Sequence, residues 1–301
     1  MFVELGAGAA HDGAGGFPQR ALNFDDDDYV RESVAMTRRV MRRRFLAGAA
    51  GAAAGLGVGW QAPMVLRGAF AQQWGDLTGR LVYDGDPPER EKLVVDQDED
   101  YCCQFDIRDE SLMVGEDGGL GNTYVYLRSR NAPVSPELEE AVEERVTLDC
   151  HECVFVPHCL VIWYTKQELF VINSDPIADN VAFSPLGDLP VNLVLRAGDT
   201  ATHRFRRPQT EPVTILCNYH PWELAFILPR DNPYMAITDM DGTFTIPRLP
   251  VGDWEFQVWH ERVRQLDTAQ WRRGRMSVGI RPGVNDLGTI RIAPARLARE
   301  A

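Results

Sequence analysis

Short apolar runs recur along most of the chain, and Gly, Pro, Asn and Asp separate them. The runs are rich in Val, Ile, Tyr, Phe and Thr, which favour β-strands. We predict strands at residues 77–83, 123–128, 159–164, 168–173, 191–196, 201–205, 213–217, 225–228, 243–246, 254–259, 276–280 and 288–292. Many short strands joined by frequent turns are typical of a β-sandwich or a β-barrel.

One segment, residues 135–145, has a helical pattern instead. Ser135 suits the N-cap position and Pro136 suits the first helical position. The acidic residues that follow favour the positive end of a helix dipole. We therefore predict a single helix in an otherwise all-β fold.

The N-terminal part of the chain has a different composition. Residues 42–46 read Arg-Arg-Arg-Phe-Leu, an Ala- and Gly-rich apolar run follows at 47–60, and Ala-Phe-Ala stands at 69–71. This order of basic, apolar and small residues is typical of a signal peptide. The Arg-Arg-x-Phe-Leu core resembles a twin-arginine export signal. A membrane anchor is the alternative, but the apolar run is shorter than the roughly 20 residues that span a bilayer.

We therefore predict that residues 1–71 are an N-terminal extension and a cleaved twin-arginine signal peptide. Residues 1–40 either extend its basic region or precede a true start at Met36 or Met41. The exported remainder is expected to be periplasmic or extracellular, with no membrane span after cleavage.

The charge of the chain limits its partners. Among 301 residues, 44 are acidic and 31 are basic, which gives a net charge of −13. An acidic protein repels phosphate backbones, so we expect no nucleic-acid partner. The acidic runs at 96–100, 106–110 and 137–144 are interpreted as solvated faces. Alternatively, they form a docking surface for a basic redox protein such as a c-type cytochrome.

The chemistry-bearing residues follow the predicted strand 213–217. Cys217, His220 and Glu223 are spaced as Cys-x2-His-x2-Glu. In the copper sites of cupredoxins, a thiolate ends a strand, an imidazole and an axial ligand come from the next loop, and a second imidazole comes from a distant strand. A soft thiolate with imidazoles holds copper for one-electron transfer.

Several motifs then resemble one family in order along the chain. They are Phe-Val-Pro-His at 155–158, Asn-x-Asp-Pro and Asn-Val within 173–181, Cys-x2-His-Pro-Trp at 217–222, the Asn-Pro-Tyr to Leu-Pro-x-Gly segment at 232–252, and Trp-His-Glu at 259–261. Together they resemble the plastocyanin-like exported proteins of the methylamine-utilisation type, within the cupredoxin superfamily. The resemblance covers about residues 77–262.

Two ligand positions depart from that family. Asp179 stands where the resemblance implies the distant histidine, and Glu223 stands where it implies an axial methionine. The predicted metal ligands are therefore Cys217, His220, Asp179 and Glu223. Carboxylates favour a higher oxidation state and harder metals such as zinc, so bound copper should form a red, low-potential site. The alternative is a site that has lost its metal, with Cys217 a buried apolar residue.

The resemblance also bears on the remaining cysteines. Family members place one cysteine early in the chain and one before the Phe-x-Pro-His motif, which implies a disulfide between Cys153 and either Cys102 or Cys103 in an oxidising compartment. A second bridge is expected to join Cys150 to the other of that pair or to Cys159. The alternative is a zinc site built from residues 150–153 and 158–159.

Residues 235–261, with a hairpin turn at Asp241-Gly242 and a Pro-x-Gly turn at 250–252, resemble the transthyretin-like and carboxypeptidase-regulatory β-sandwiches. We therefore predict a Greek-key, cupredoxin-like β-sandwich with a transthyretin- or carboxypeptidase-regulatory-like β extension made of N- and C-terminal strands. By residue number, the prediction is a cupredoxin-like domain at 72–232 and the extension at 233–301. The expected function is copper binding and electron transfer. The alternative is a metal-free binding or structural module of the cell envelope. We do not expect an enzyme.

Overall fold

Strands dominate the computed structural model, which describes residues 72–298. The N-terminal extension and signal peptide predicted for residues 1–71 lie outside the described residues. The strands are β1 (Trp74–Tyr83), β2 (Tyr124–Leu127), β3 (Arg145–His151), β4 (Val154–Val156), β5 (Cys159–Trp163), β6 (Glu168–Asn173), β7 (Asp179–Phe183), β8 (Val191–Leu195), β9 (Thr200–His203), β10 (Val213–Leu216), β11 (Leu224–Arg230), β12 (Met235–Ile237), β13 (Thr243–Pro250), β14 (Gly252–His260), β15 (Arg264–Gln265), β16 (Arg275–Ile280) and β17 (Gly283–Ile292). The predicted all-β sandwich class is confirmed.

The helices are short. They are α1 (Glu99–Cys102), α2 (Pro136–Ala141) and a 3-10 turn at Pro294–Arg296. Helix α2 begins where the sequence predicts but ends at Ala141, because Val142 is already extended and Arg145 starts β3 by pairing with Glu168 of β6. Ser135 occupies the N-cap position without a side-chain cap hydrogen bond.

Two sheets form the sandwich that carries the predicted ligands. One has the order β5-β11-β10-β7-β8 and the other has the order β4-β3-β6-β9. The non-consecutive order reflects crossovers of the kind that a Greek-key arrangement requires. Apolar residues from both sheets share one core, which includes Leu148, Val171, Val181, Ile215 and Ile227. Along β6 the buried and partly exposed positions alternate, as expected for a strand with one face in the core.

The remaining strands form two further sheets, with orders β13-β1-β17 and β12-β2-β14-β15, and β16 also pairs with β14. Their shared core includes Leu77, Leu81, Phe244, Phe256 and Ile290. Strands β1 and β2 therefore pair with strands that follow residue 233. The boundary between residues 232 and 233 stays a prediction, and strand pairing crosses it.

A separate apolar cluster joins the two groups of sheets. Tyr124, Trp163, Phe226 and Trp259 belong to it. The Tyr124 hydroxyl donates to the carbonyl oxygen of Phe226 at 2.8 Å, so the polar tip of this buried aromatic residue is satisfied. Between residues 72 and 298, no helix has the length and apolar character needed to cross a membrane.

Candidate metal centre

The four predicted metal ligands come from the ends of two paired strands and from one tight loop. Asp179 is the first residue of β7, which pairs antiparallel with β10. Cys217 directly follows β10, while His220 and Glu223 lie in the loop before β11. The Glu223 N–H donates to the His220 carbonyl oxygen at 2.9 Å, which tightens this loop. Strand pairing thus places Asp179 beside the start of the Cys217 loop.

The side chains of these four residues converge. Their potential ligand atoms all lie within 4.8 Å of one another. The Cys217 Sγ atom is 2.8 Å from Asp179 Oδ1 and 3.7 Å from His220 Nδ1. The same nitrogen is 3.2 Å from Glu223 Oε1 and 3.8 Å from Asp179 Oδ2. The structure therefore brings together the four residues named from the sequence, while metal ligation itself stays a prediction.

Three carboxylate oxygens in this cluster are buried without a hydrogen bond of standard geometry, although two of them lie 3.2 and 3.8 Å from His220 Nδ1. They are Oδ2 of Asp179 and both Oε atoms of Glu223. Leaving one buried polar group unsatisfied costs about 1–3 kcal/mol, more for a charged group, so such groups are uncommon. Oxygen atoms this close to a sulfur and an imidazole nitrogen form a donor set for a cation.

Backbone groups hold the sulfur in place. The N–H groups of Tyr219 and His220 donate to Cys217 Sγ at 3.2 and 3.1 Å. The Asn218 N–H donates to the side-chain oxygen of Asn180 at 2.8 Å, which ties the loop to β7. Hydrogen bonds to sulfur favour the thiolate, the form of cysteine that binds metals.

Burial and mutual contacts set the protonation of the cluster. Burial raises the pKa of Glu223 to about 8, and it also raises the pKa of the Cys217 thiol. Burial opposes ionisation of Asp179, but the nearby His220 ring and the hydrogen bond from the Cys217 thiol outweigh it and lower the pKa of Asp179. Burial likewise disfavours protonated His220, yet its acidic and thiol neighbours raise the pKa of His220. A bound cation would therefore have to displace protons from these groups.

Two other histidines lie away from this cluster. The ring of His158 forms ion pairs with Glu110, at 3.3 Å, and with Glu261. His260 is buried, and its Nδ1 accepts a hydrogen bond from the Arg262 N–H. Within the part of the chain that the structure describes, neither histidine belongs to the group of converging ligand atoms.

The cysteines form one bridge. Cys102 and Cys153 are disulfide-bonded, which is one of the two pairings expected for Cys153. Cys103 is an exposed free thiol, and Cys150 and Cys159 are buried free thiols, so the expected second bridge is wrong. The alternative zinc site is also wrong, because the sulfur of Cys153 is already bonded to Cys102 and cannot bind a metal as a thiolate.

Two residues beside the cluster were not assigned to it from the sequence. Burial, with the nearby carboxylates of Asp179 and Glu223, raises the pKa of Cys150, which is thus a neutral thiol next to the cluster. Oδ2 of Asp98 lies 3.0 Å from Nε2 of His220. Asp98 stands in an acidic run, and no local signal distinguishes it from its neighbours.

Comparisons with known proteins give a limited picture. No protein-family model matches the chain, and no curated protein matches it. Solved structures match parts of the chain. A copper-containing nitrite reductase from Thermus scotoductus is 18% identical over 32% of this chain, with a TM-score of 0.26. The chain spans only 27% of the length of that reductase.

Two smaller proteins are matched over nearly their whole length. A purple cupredoxin from Nitrosopumilus maritimus is 16% identical, with a TM-score of 0.23, over 28% of this chain and 98% of its own. Amicyanin from Paracoccus versutus is 12% identical, with a TM-score of 0.25, over 35% of this chain and 97% of its own. Similarities this low carry no functional conclusion, and the plastocyanin-like subtype stays a prediction.

Proposed function

We propose that this chain is an exported, cupredoxin-like protein that binds copper through Cys217, His220, Asp179 and Glu223 and transfers single electrons. The proposal rests chiefly on the convergence of four buried groups, a thiol, an imidazole and the carboxylates of Asp179 and Glu223, whose potential ligand atoms lie within 4.8 Å of one another. Four such donors form a complete first coordination sphere for a tetrahedral ion.

The geometry of the donors fits a metal ion. With metal–ligand bonds of about 2.0–2.3 Å, tetrahedral donors lie roughly 3–4 Å apart. The separations of 3.2 Å between His220 Nδ1 and Glu223 Oε1 and 3.7 Å between His220 Nδ1 and Cys217 Sγ fall in this range. The contact between Cys217 Sγ and Asp179 Oδ1, at 2.8 Å, would lengthen once the shared proton leaves.

The chemistry of the donors favours a low-potential site. Copper, when bound, supplies one-electron redox chemistry. Asp179 and Glu223 bring negative charge and hard oxygen atoms, which stabilise the more oxidised ion, while Cys217 retains affinity for a soft metal. The backbone N–H groups of Tyr219 and His220 donate to Cys217 Sγ. They would hold the sulfur in the same position whether the bound copper ion is oxidised or reduced.

The partner in this proposal is a basic redox protein, such as a c-type cytochrome. The net charge of −13 supports this, because opposite charge accelerates encounter. Export through the twin-arginine route and a periplasmic or extracellular location belong to the same proposal. The chain then carries electrons and does not transform a substrate.

A second candidate function is a metal-free binding or structural module. The observation that favours it is the contact between the Cys217 thiol and Asp179, since a thiol that donates to a carboxylate is satisfied without a cation. In that case the cluster would stabilise the loop alone.

Metal content and visible absorption separate the two functions. The purified full-length chain is incubated with Cu²⁺, passed through a desalting column and analysed for bound copper. The proposal predicts one bound copper and a sulfur-to-copper absorption band, both lost in Cys217→Ser. Cys159→Ser removes another buried free thiol and should keep the band. A coloured Cys217→Ser variant, or a wild-type chain without copper, would contradict the proposal.

A further inference from the structure

One segment of the chain lies over the loop that carries His220. We call residues 93–107 the cover segment. Cys102 and Ile107 from this segment form a small apolar cluster with Cys153, and Trp222 of the His220 loop packs against that cluster. The segment also contributes Leu93, Val95, Tyr101 and Phe105 to this packing. The cover segment is therefore fixed to the loop that carries His220 and to the turn after β3.

Polar and covalent contacts add to this packing. The disulfide joins Cys102 of the cover segment to Cys153. The Tyr101 hydroxyl donates to Asp175 at 2.8 Å, and Asp175 also accepts the Cys153 N–H at 2.8 Å. The Trp222 indole N–H donates to the Cys153 carbonyl oxygen at 2.9 Å. These contacts limit how far the segment can move relative to the loop.

Asp98 is the residue of the cover segment that reaches the candidate centre. Its Oδ2 lies 3.0 Å from Nε2 of His220, whose side chain is fully buried, whereas the Asp98 side chain is 48% exposed. The Asp98 carbonyl oxygen accepts the N–H groups of Tyr101 and Cys102, both at 2.9 Å. The Asp98 carboxylate thus approaches the far side of the imidazole from outside the cluster.

The local conformation of Asp98 serves this contact. Asp98 is the N-cap residue of α1, yet its side chain makes no cap hydrogen bond. An N-cap aspartate usually accepts a backbone N–H of the first helical turn, which contributes about 1 kcal/mol. Asp98 instead has φ 45° and ψ 39°, a left-handed conformation that is uncommon outside glycine. The capping bond is forgone while the carboxylate contacts His220.

The contact with Asp98 bears on which imidazole nitrogen of His220 carries the proton. A carboxylate oxygen accepts a hydrogen bond from an imidazole N–H, so the 3.0 Å contact favours the form of His220 with its proton on Nε2. In a neutral imidazole the proton on one nitrogen leaves the lone pair on the other. That other nitrogen, Nδ1, is the atom 3.2 Å from Glu223 and 3.7 Å from Cys217 Sγ.

We propose that Asp98 is a positioning residue for the metal centre, which holds His220 with its proton on Nε2 and its Nδ1 lone pair directed at the metal. This inference rests on the proposed metal site and adds an outer residue to it. Carboxylate partners of metal-binding imidazoles fix ring orientation and increase ligand basicity, and their loss typically lowers metal affinity 10- to 100-fold.

Metal titration of single variants tests the role of Asp98. Co²⁺ is titrated into the full-length chain, its sulfur-to-cobalt absorption is followed, and Zn²⁺ competition gives the affinities. Asp98→Asn should weaken Co²⁺ and Zn²⁺ binding by about 10- to 100-fold. Asp98→Glu keeps the carboxylate and should restore most of the affinity. Asp96→Asn and Asp100→Asn remove the same charge from exposed neighbours and should change it little.

Nitrogen NMR of the zinc-loaded wild-type chain is the second measurement, and it does not depend on a variant that folds. The ¹⁵N-histidine spectrum should show a proton on Nε2 and none on Nδ1 of His220.

Three results would overturn the proposal. They are a metal-bound Nε2 in the NMR spectrum, equal affinity losses in Asp98→Asn and Asp96→Asn, and no affinity loss in Asp98→Asn. If Cys217→Ser also keeps full affinity and the cobalt band, the metal site itself is wrong. If that variant loses both while Asp98→Asn binds normally, only the role of Asp98 fails.

Discussion

The Sγ atom of Cys217 lies 2.8 Å from Oδ1 of Asp179, although 38 positions separate the two residues in the chain. Antiparallel pairing of β7 with β10 produces this contact, because it places the start of one strand beside the end of the other. A thiol and a carboxylate at this distance share a proton when no cation is bound. In the proposed metal site, the same two groups would become neighbouring ligands once a metal ion replaces that proton.

The identity of the two carboxylate ligands should determine the colour of the copper-loaded protein. Replacing both in the variant Asp179→His/Glu223→Met supplies a second imidazole and a thioether beside Cys217 and His220. Such a set is typical of blue-copper sites, so an intense blue band should appear. The visible spectrum of the copper-loaded variant checks this result.

The control for that experiment adds Cys217→Ser to the same double variant. The blue band should vanish, because it arises from the sulfur. Thermal unfolding of both variants must first show that they fold, since Asp179 is fully buried and histidine is larger. A folded, copper-loaded double variant without a blue band would mean that the two positions do not ligate copper.

The disulfide should contribute substantially to stability. Cys102 and Cys153 are 51 positions apart, and cross-linking a loop of this length restricts the unfolded chain. We expect Cys102→Ala/Cys153→Ala to lower the free energy of unfolding by about 2–4 kcal/mol. Urea denaturation measures the change. Cys103→Ala alters an exposed free thiol and should shift the free energy by less than about 0.5 kcal/mol. Equal effects of the two changes would contradict this prediction.

The His158 cluster should make stability depend on pH. Burial disfavours protonated His158, but Glu110 and Glu261 outweigh it and raise the pKa of His158 to about 9. The unfolded pKa is about 6.5, so the folded state holds the proton more tightly. The resulting stabilisation is complete below pH about 6.5 and is lost as pH rises through about 9. Neighbouring His260 stays neutral in this range, because burial lowers its pKa to about 3.

Urea denaturation of the wild type and of His158→Gln at pH 6 and pH 9.5 tests this dependence. The difference in unfolding free energy between the two proteins should be larger at pH 6, by on the order of 2 kcal/mol. Subtracting the variant removes the contribution of the other titrating groups. A difference that is the same at both pH values would show that His158 is not held protonated by its two carboxylates.

The sequence was sufficient to predict twelve of the seventeen strands between residues 72 and 298 and the four converging residues, for physical reasons. It did not predict helix α1 or the strands β3, β4, β7, β12 and β15. Alternating and short apolar runs define strands locally, and a loop as short as the one from Cys217 to Glu223 keeps its side chains close together. Asp179 could be named because of the resemblance to a family motif and not because of periodicity. Its contact with Cys217 depends on strand pairing that no local pattern specifies.

The contribution of Asp98 could not be predicted in this way. Asp98 lies within a run of acidic residues that are otherwise exposed, so composition indicates a solvated face. Its contact with His220 arises because the disulfide at Cys102 and the packing around Trp222 hold the cover segment against the loop that carries His220. Such a contact depends on tertiary structure, and so does the neutral thiol of Cys150 beside the cluster.

X-ray absorption of the zinc-loaded full-length chain tests the central claim most directly, because zinc avoids oxidation of the thiol and the method counts ligands by type. The four-residue centre predicts one sulfur at about 2.3 Å and three nitrogen or oxygen atoms at about 2.0–2.2 Å. In Cys217→Ser the sulfur shell should disappear. A zinc environment of nitrogen and oxygen alone in the wild-type chain would contradict the assignment of Cys217 and His220 to one metal centre with Asp179 and Glu223.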